Sequence, residues 1–315
     1  MKEKKDIRSL SIEELTSFFK SNNMPSYRAN QVYNWLWKKS CLSFDEMTNI
    51  SLELRNLLKS KFVINHIKID KLQKSKDGTI KNAISLYDNL LVESVLIPTK
   101  SRTTACISSQ VGCSLDCDFC ATSKMDRIRN LNPDEIYDQA VTINSQSIKY
   151  HDRPISNIVF MGMGEPLLNY SNVIKGIDKI TSKEGLGMSP KRITVSTSGI
   201  SKLIIKMADD NVKFNLAISL HSAIEKTRNK IMPFSKKFPL ENLLEAVKYW
   251  YLKTNKIVTY EYIVWEGIND DEDHINALVN FCKSSPSKVN LIEYNTTDNN
   301  FFRSAKNKAI EEYVN

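Results

Sequence analysis

The sequence predicts an α/β protein in which six strand–helix units form a partial (β/α)6 barrel, preceded by a small helical domain and an antiparallel β extension. Three observations carry this. Apolar residues recur at helical spacing through the first sixty positions, short β-type runs follow to about residue 100, and from there strand-like and helix-like stretches alternate to residue 315. At 315 residues, with 41% apolar and 25% charged composition, the chain is long enough for one sizeable core and a smaller accessory module.

Residues 1–60 read as helical because Leu10, Ile12, Leu15, Phe18 and Phe19, and then Val32, Trp35 and Leu36, fall on helical faces; Trp35 and Trp37 are core candidates. Residues 61–100 form the β extension, with Asp77-Gly78 as the hairpin turn between runs 67–72 and 83–87. Residues 101–315 hold the barrel. Its apolar, β-rich runs are 103–109, 157–161, 192–196, 213–220, 258–264 and 289–294. Between them, one helix opens with Asn132 as cap, Pro133 at the first helical position and Glu135 two later, and another spans 240–253. Repeated βα units imply a parallel sheet, and such sheets gather functional groups at the C-terminal ends of their strands.

The formal charge of +8 is unevenly spread: residues 1–81 hold sixteen Lys or Arg against nine Asp or Glu. A localised positive field suits a polyanion such as nucleic acid or a membrane surface, the bland alternative being a solvated basic face. No apolar run approaches the eighteen residues that span a bilayer, and Met1-Lys-Glu-Lys-Lys has no apolar stretch behind it. A soluble cytoplasmic monomer with no membrane contact is expected. Six cysteines, three of them within eight positions, suggest metal or redox chemistry rather than a disulfide framework.

Those three cysteines lie in Cys113-Ser-Leu-Asp-Cys117-Asp-Phe-Cys120, directly after the first barrel strand and so in the first βα loop. Thiolates at C-x3-C-x2-C spacing can fold around one face of an iron–sulfur cubane, each binding one iron and leaving the fourth without a protein ligand. A zinc site would need a further ligand, and His66, His151, His221 and His274 are all distant in sequence. Three incidental core cysteines are the other plain reading. The spacing specifies a site and not a reaction.

The run Ser109-Gln-Val-Gly-Cys-Ser-Leu-Asp-Cys-Asp-Phe-Cys-Ala-Thr-Ser resembles the signature of radical S-adenosylmethionine (SAM) enzymes, and specifically of the RlmN/Cfr family of RNA adenine methyltransferases. The likeness extends from about residue 10 to about residue 300. It is carried further by Val92-Glu-Ser-Val-Leu-Ile-Pro98, Phe160-Met-Gly-Met-Gly-Glu-Pro-Leu-Leu-Asn169, Val195-Ser-Thr-Ser-Gly199, Ala217-Ile-Ser-Leu-His221 and Asn290-Leu-Ile-Glu-Tyr-Asn295. In this order the motifs are highly specific, although each alone is weak.

The resemblance implies a radical SAM barrel with one [4Fe-4S] cluster per chain on Cys113, Cys117 and Cys120, and SAM chelating the open iron. It implies that Gly164, Glu165, Ser196, Ser219, Leu220, His221 and Asn295 bind SAM. Glu93 would be the proton acceptor that helps rearomatise the adenine, and Cys106 the cysteine that attacks the methylene-bridged RNA adduct and releases the enzyme. On their own, these residues would read as a glycine-rich turn, strand-end turn residues, a core histidine, a surface carboxylate and a buried thiol. Cys41 and Cys282 match nothing in the family pattern and read as structural.

The implied product is 2-methyladenine in 23S rRNA and tRNA, formed through a methyl-cysteine and a 5′-deoxyadenosyl radical. Residues 1–60 would be a basic RNA-binding domain, helped by Lys124, Arg127 and Arg129, and an electron donor such as flavodoxin would be a partner. A disulfide bond is also among the implied features. A radical suits the chemistry, because C2 of adenine is an electron-poor CH with no nucleophilic lone pair. Cfr-type C8 methylation, another radical SAM reaction on RNA, and a non-catalytic RNA-binding protein with a structural metal site stay open. The family's methyl-carrying cysteine lies in a C-terminal segment, and no cysteine follows Cys282 here. A protein lacking that segment is expected to bind the cluster and cleave SAM without transferring methyl, whereas if the sequence is a piece of a longer protein the family activity stands.

Overall fold

The computed structural model describes residues 4–294 and 301–314, which fold as two compact units. The first comprises Met1–Ile107, Leu131–Asn157 and Ser171–Ser189; the second comprises Ser108–Asn130, Ile158–Tyr170 and Pro190–Asn315. Among the described residues, no helix is long and apolar enough to cross a membrane.

In the first unit, β1 (Lys5–Asp6) precedes helices α1 (Ile12–Ser21), α2 (Tyr27–Trp37) and α3 (Leu52–Lys61), and pairs with β2 (Phe62–Val63). Helix α1 starts where it does because the Ser11 hydroxyl accepts the Glu14 N–H at 3.1 Å while the Glu14 carboxylate accepts the Ser11 N–H at 2.7 Å. Leu15, Phe19, Val32, Leu36, Trp37, Leu54 and Leu58 bury the apolar faces. Trp35, expected in the core, is only half-buried. Its indole N–H donates to Asn49 Oδ1 at 2.6 Å and the Lys39 ammonium sits over its ring, so the amphipathic ring stays at the surface.

An antiparallel sheet follows, built from β3 (Lys68–Lys74), β4 (Ile80–Ser85), β5 (Leu91–Pro98) and β6 (Thr103–Cys106) in that spatial order. The Asp77-Gly78 turn closes the first hairpin, with Gly78 at a positive φ of 87° and Lys74 facing Ile80. Along β5, Val92, Ser94 and Leu96 point inward and Glu93 outward. Strand β6, expected to run to residue 109, stops at Cys106.

Helices α4 (Pro133–His151) and α5 (Tyr170–Thr181, all but its first residue) complete this unit. The Asn132 N–H donates to the Glu135 carboxylate at 2.8 Å, which starts α4 where the sequence placed its cap. Arg8 ties the N-terminal segment to α4: Nη1 donates to both oxygens of Asp138 at 2.8 and 2.9 Å, and Nη2 to Asp134 at 3.1 Å and to the Asn65 carbonyl. Trp37 packs edge-on against Tyr137 with ring centroids 5.3 Å apart, and the tyrosine hydroxyl donates to the Trp37 carbonyl.

The second unit begins with β7 (Gln110–Val111) and β8 (Arg129–Asn130), a short antiparallel pair that closes the loop between them. A parallel sheet then runs β9 (Asn157–Phe160), β10 (Ile193–Thr197), β11 (Asn215–Ser219), β12 (Val258–Ile263) and β13 (Ser287–Ile292), adjacent in that order. Helices α6 (Ser201–Asp209), α7 (Glu225–Ile231), α8 (Leu240–Thr254) and α9 (Glu272–Lys283) fill the crossovers, and α10 (Asn307–Val314) follows. Ile158, Val195, Leu216, Ile218 and Val258 are sealed in the core, each contributing roughly 1.5–3 kcal/mol by leaving water. Because the register is parallel, with Ser196 beside Ala217 and Ser219 beside Glu261, the strands' C-terminal ends share one edge.

Candidate active site

At that edge lies a cavity of about 250 Å³. Its walls include Cys113, Cys117 and Cys120 from the loop between β7 and β8, Gly164 and Glu165 after β9, Ser196 on β10, Ser219 on β11, and His221 just beyond it. Eight of the residues singled out from the sequence thus surround one space. Leu220 is fully buried, its N–H donating to the Glu261 carbonyl at 3.0 Å, and its side chain does not line the cavity. Asn295 lies outside the described residues. Glu93 and Cys106 belong to the first unit: Glu93 is half-exposed on β5 and pairs with Lys81 at 2.7 Å, and Cys106 ends β6 opposite Val95.

The cysteine loop is held by its own backbone. Gly112 turns with a φ of 74°, where a Cβ would stand 2.1 Å from the Asp126 carbonyl oxygen, so only glycine fits. The Cys113 N–H donates to the Met125 carbonyl at 3.1 Å and the Cys120 N–H to that of Cys117 at 3.1 Å, while the Ser123 hydroxyl donates to the Cys117 and Cys120 carbonyls. Asp118 N–H bonds to the Ile231 carbonyl at 3.0 Å, fastening the loop to the end of α7. Beneath it lie Leu115, Ile231, Met232, Ile263, Trp265, Tyr294 and Phe302. Phe119 stacks edge-on to His221 at 4.8 Å and tilts against Trp265 at 5.0 Å, excluding water from this side.

Burial sets the electrostatics. The Cys113 and Cys117 thiols are pushed up, so both are neutral until a metal displaces their protons. Burial also raises the Glu165 carboxyl, opposed by the Ser198 N–H on Oε2 at 2.7 Å and the Leu167 N–H on Oε1 at 3.0 Å. His221 is pushed down to about 3 by burial and then by Arg228, and its Nδ1 accepts the Ile263 N–H at 3.2 Å. A neutral imidazole with Nδ1 engaged carries its proton on Nε2.

The donor set fits an iron–sulfur cluster. Among the described residues no three His, Cys, Asp or Glu side chains converge closely enough to hold a single metal ion, whereas a cubane takes thiolates spread around its corners. Gly164 supplies a bare wall: at a φ of 92°, its Cβ would meet Gln110 Cβ at 2.4 Å. The structure gives no support to the implied disulfide; three of the six cysteines stand around the cavity and Cys41 is buried in the first unit.

Comparison with known proteins decides the family. Residues 107–279 match the model of the radical SAM superfamily, and residues 5–64 that of the ribosomal RNA large subunit methyltransferase N-terminal domain. A Flavobacterium johnsoniae protein named probable dual-specificity RNA methyltransferase RlmN is 63% identical over 312 residues, covering 99% of this chain and 89% of that protein. The chain belongs to the RlmN family. A Geobacter sulfurreducens protein named dual-specificity RNA methyltransferase RlmN is 40% identical over 98% of this chain and 84% of its own. The crystal structure of a radical SAM methyltransferase from Sphaerobacter thermophilus superposes with a TM-score of 0.91 at 31% identity, covering 98% of this chain and 91% of that one. The radical SAM fold is therefore as expected, and with RlmN membership come a [4Fe-4S] cluster and SAM as cofactors.

Two residues at the site escaped the sequence reading. Glu261 on β12 lines the cavity as a second buried carboxylate, pushed up by burial, with Oε2 accepting from Asn290 Nδ2 at 2.7 Å. An acid inside the apolar run 258–263 was its available signal. Gln110 accepts the Glu165 N–H at 2.8 Å and donates to Asn130 at 2.8 Å, a role no local pattern announces.

Proposed function

We propose that this chain methylates C2 of adenine in RNA, taking both 23S rRNA and tRNA, with its second unit holding the cluster and SAM. The single observation that carries the reading is one cavity walled by Cys113, Cys117, Cys120, Gly164 and Glu165 in a member of the RlmN family. When bound, the reduced cluster supplies the electron that cleaves SAM to the 5′-deoxyadenosyl radical.

The chain's own residues bind, orient and shield. Cys113, Cys117 and Cys120 would each hold one iron. Glu165, anchored by two backbone N–H groups, offers its charge to the methionine ammonium, and Gly164 lets the ligand approach the backbone. Ser196 and Ser219 supply hydroxyls and His221 donates from Nε2; Leu220 contributes through its backbone beside them, and Asn295 is assigned to SAM binding by its motif alone. The aromatic floor of Phe119 and Trp265 keeps water from the radical. Glu93 takes the proton as the adenine regains aromaticity, and the Cys106 thiolate would attack the sulfur of the family's methyl-carrying cysteine, forming a disulfide with it as the sulfur–methylene bond to the adenine breaks. Residues 1–60 and 61–100 precede the barrel at 101–315, and the basic excess of residues 1–81 grips the RNA backbone while the target base is unstacked. A cytoplasmic monomer served by a flavodoxin-like electron donor completes the reading.

The test is anaerobic turnover with SAM, reductant and either an rRNA fragment or tRNA, followed by mass analysis of the nucleosides. 2-Methyladenosine from both RNAs is expected where the protein carries the family's C-terminal methyl-bearing cysteine, and SAM cleavage to 5′-deoxyadenosine without methylated product where it does not. 8-Methyladenosine would move the chain to Cfr-type chemistry, and bound zinc without sulfide would make it a binding module.

A further inference from the structure

Two arginines are buried in this chain, and their surroundings differ. Arg8 is answered by Asp134 and Asp138. Arg228, on α7 and 0% exposed, forms no salt bridge among the described residues. Its Nη2 donates to the carbonyls of Ser198 at 2.7 Å and Ser219 at 3.4 Å, its Nε to that of Leu220 at 3.2 Å, and its Nη1 has no partner among the described residues. Glu225, one turn earlier, directs its oxygens to Asn229 Nδ2 at 3.1 Å and the Leu240 N–H at 2.7 Å.

Burial lowers the Arg228 pKa to about 10, which leaves it a cation at neutral pH. A sealed charge with no carboxylate in contact is costly, and carbonyl dipoles together with the more distant Glu225 answer it only in part. Ser198 and Ser219, whose carbonyls Arg228 holds, line the same cavity as Cys113, Cys117 and Cys120, which sets the guanidinium directly behind that wall. Glu225, the neutral His221 and Cys117 are the ionisable groups that feel it. Cys117 sits on the loop fastened to the end of α7, where the Ile231 carbonyl takes the Asp118 N–H and the Arg228 carbonyl takes that of Met232 at 2.8 Å. Arg228 is not among the cavity-lining residues, so its charge acts through the low-dielectric wall rather than by contact.

We propose that Arg228 is a positioning residue that acts electrostatically, as the buried counter-ion of the thiolate-held cluster, easing reduction of that cluster while fixing the carbonyls at the ends of β10 and β11. The proposal rests on the assignment of Cys117 as a cluster ligand. A positive charge near the cluster favours the more negative, reduced state, so its removal makes reduction harder.

The experiment compares reconstituted full-length wild type with Arg228→Lys, Arg228→Gln and Arg228→Met. Iron and sulfide content, SAM affinity and the cluster midpoint potential, followed by electron paramagnetic resonance, are measured on each. The lysine variant is expected to keep the wild-type midpoint. Gln and Met are expected to retain iron and sulfide but move the midpoint to more negative potential, so that the fraction reduced at a fixed solution potential falls several-fold. Met fills a similar volume without charge and reads the effect where Gln fails to fold. A cluster-loaded Gln or Met variant with the wild-type midpoint overturns the proposal. Wild type without iron or sulfide would instead overturn the cluster assignment beneath it.

Discussion

The Glu165 carboxylate and the Ser198 N–H meet at 2.7 Å, joining the loop after β9 to the end of β10. Glu165 is 2% exposed and its other oxygen holds the Leu167 N–H, so both oxygens face donors. Glu165→Gln places an amide NH2 against one of these donors and removes the charge. SAM affinity of the cluster-loaded protein should fall about 10- to 100-fold, the equivalent of roughly 1.5–3 kcal/mol for a charge-assisted bond. Calorimetric titration checks this, and unchanged affinity counts against the assigned role.

Gly164→Ala forces a φ of 92° on alanine and drives its Cβ to 2.4 Å from Gln110. A loss of about 1–3 kcal/mol in urea unfolding is expected, together with loss of SAM binding. Gly267→Ala is the control. With a φ of 68° and nothing within 4 Å, it should cost only about 1 kcal/mol.

The His221 imidazole titrates near 6.5 when unfolded and is held down to about 3 in the fold. As pH falls below about 6.5, the unfolded chain gains a proton that the folded chain refuses. Stability should therefore be full above that pH and fall by on the order of 1 kcal/mol per unit toward pH 3. Denaturant midpoints across this range should show a shallower slope in His221→Gln, and an identical slope contradicts the burial account.

Arg8→Ala leaves Asp134 and Asp138 without their cation in the first unit. A loss of about 3–5 kcal/mol is expected, since breaking a buried pair strands the remaining charge. Adding Asp138→Asn should restore part of it. A cost below about 1 kcal/mol would show that the two carboxylates take up protons instead.

What could be read ahead of the structure was what local chemistry decides. The Asn132-Pro133-Glu135 start of α4 and the Asp77-Gly78 hairpin depend on neighbours in sequence, and both formed where expected. The cysteine spacing was local, while Gly164, Glu165, Ser196, Ser219 and His221 were singled out by their resemblance to the family motifs; the parallel register is what brings the strand ends that carry them to one edge. The errors have tertiary causes. Strand β6 stops early because the Ser109 and Gln110 N–H groups turn to the Met163 carbonyl, at 2.9 and 3.2 Å. The last strand, expected at 289–294, runs Ser287–Ile292, since its half-exposed residues give a weak apolar pattern. Arg228 and Gln110 act on partners far along the chain, which no spacing rule reaches.

The most direct test is anaerobic reconstitution with iron and sulfide, then reduction in the presence of SAM. The account predicts about four irons and four sulfides per chain and release of 5′-deoxyadenosine, both lost in Cys113→Ser, Cys117→Ser and Cys120→Ser. Protein that takes up zinc without sulfide, or that releases no 5′-deoxyadenosine when its cluster is complete and reduced, contradicts it.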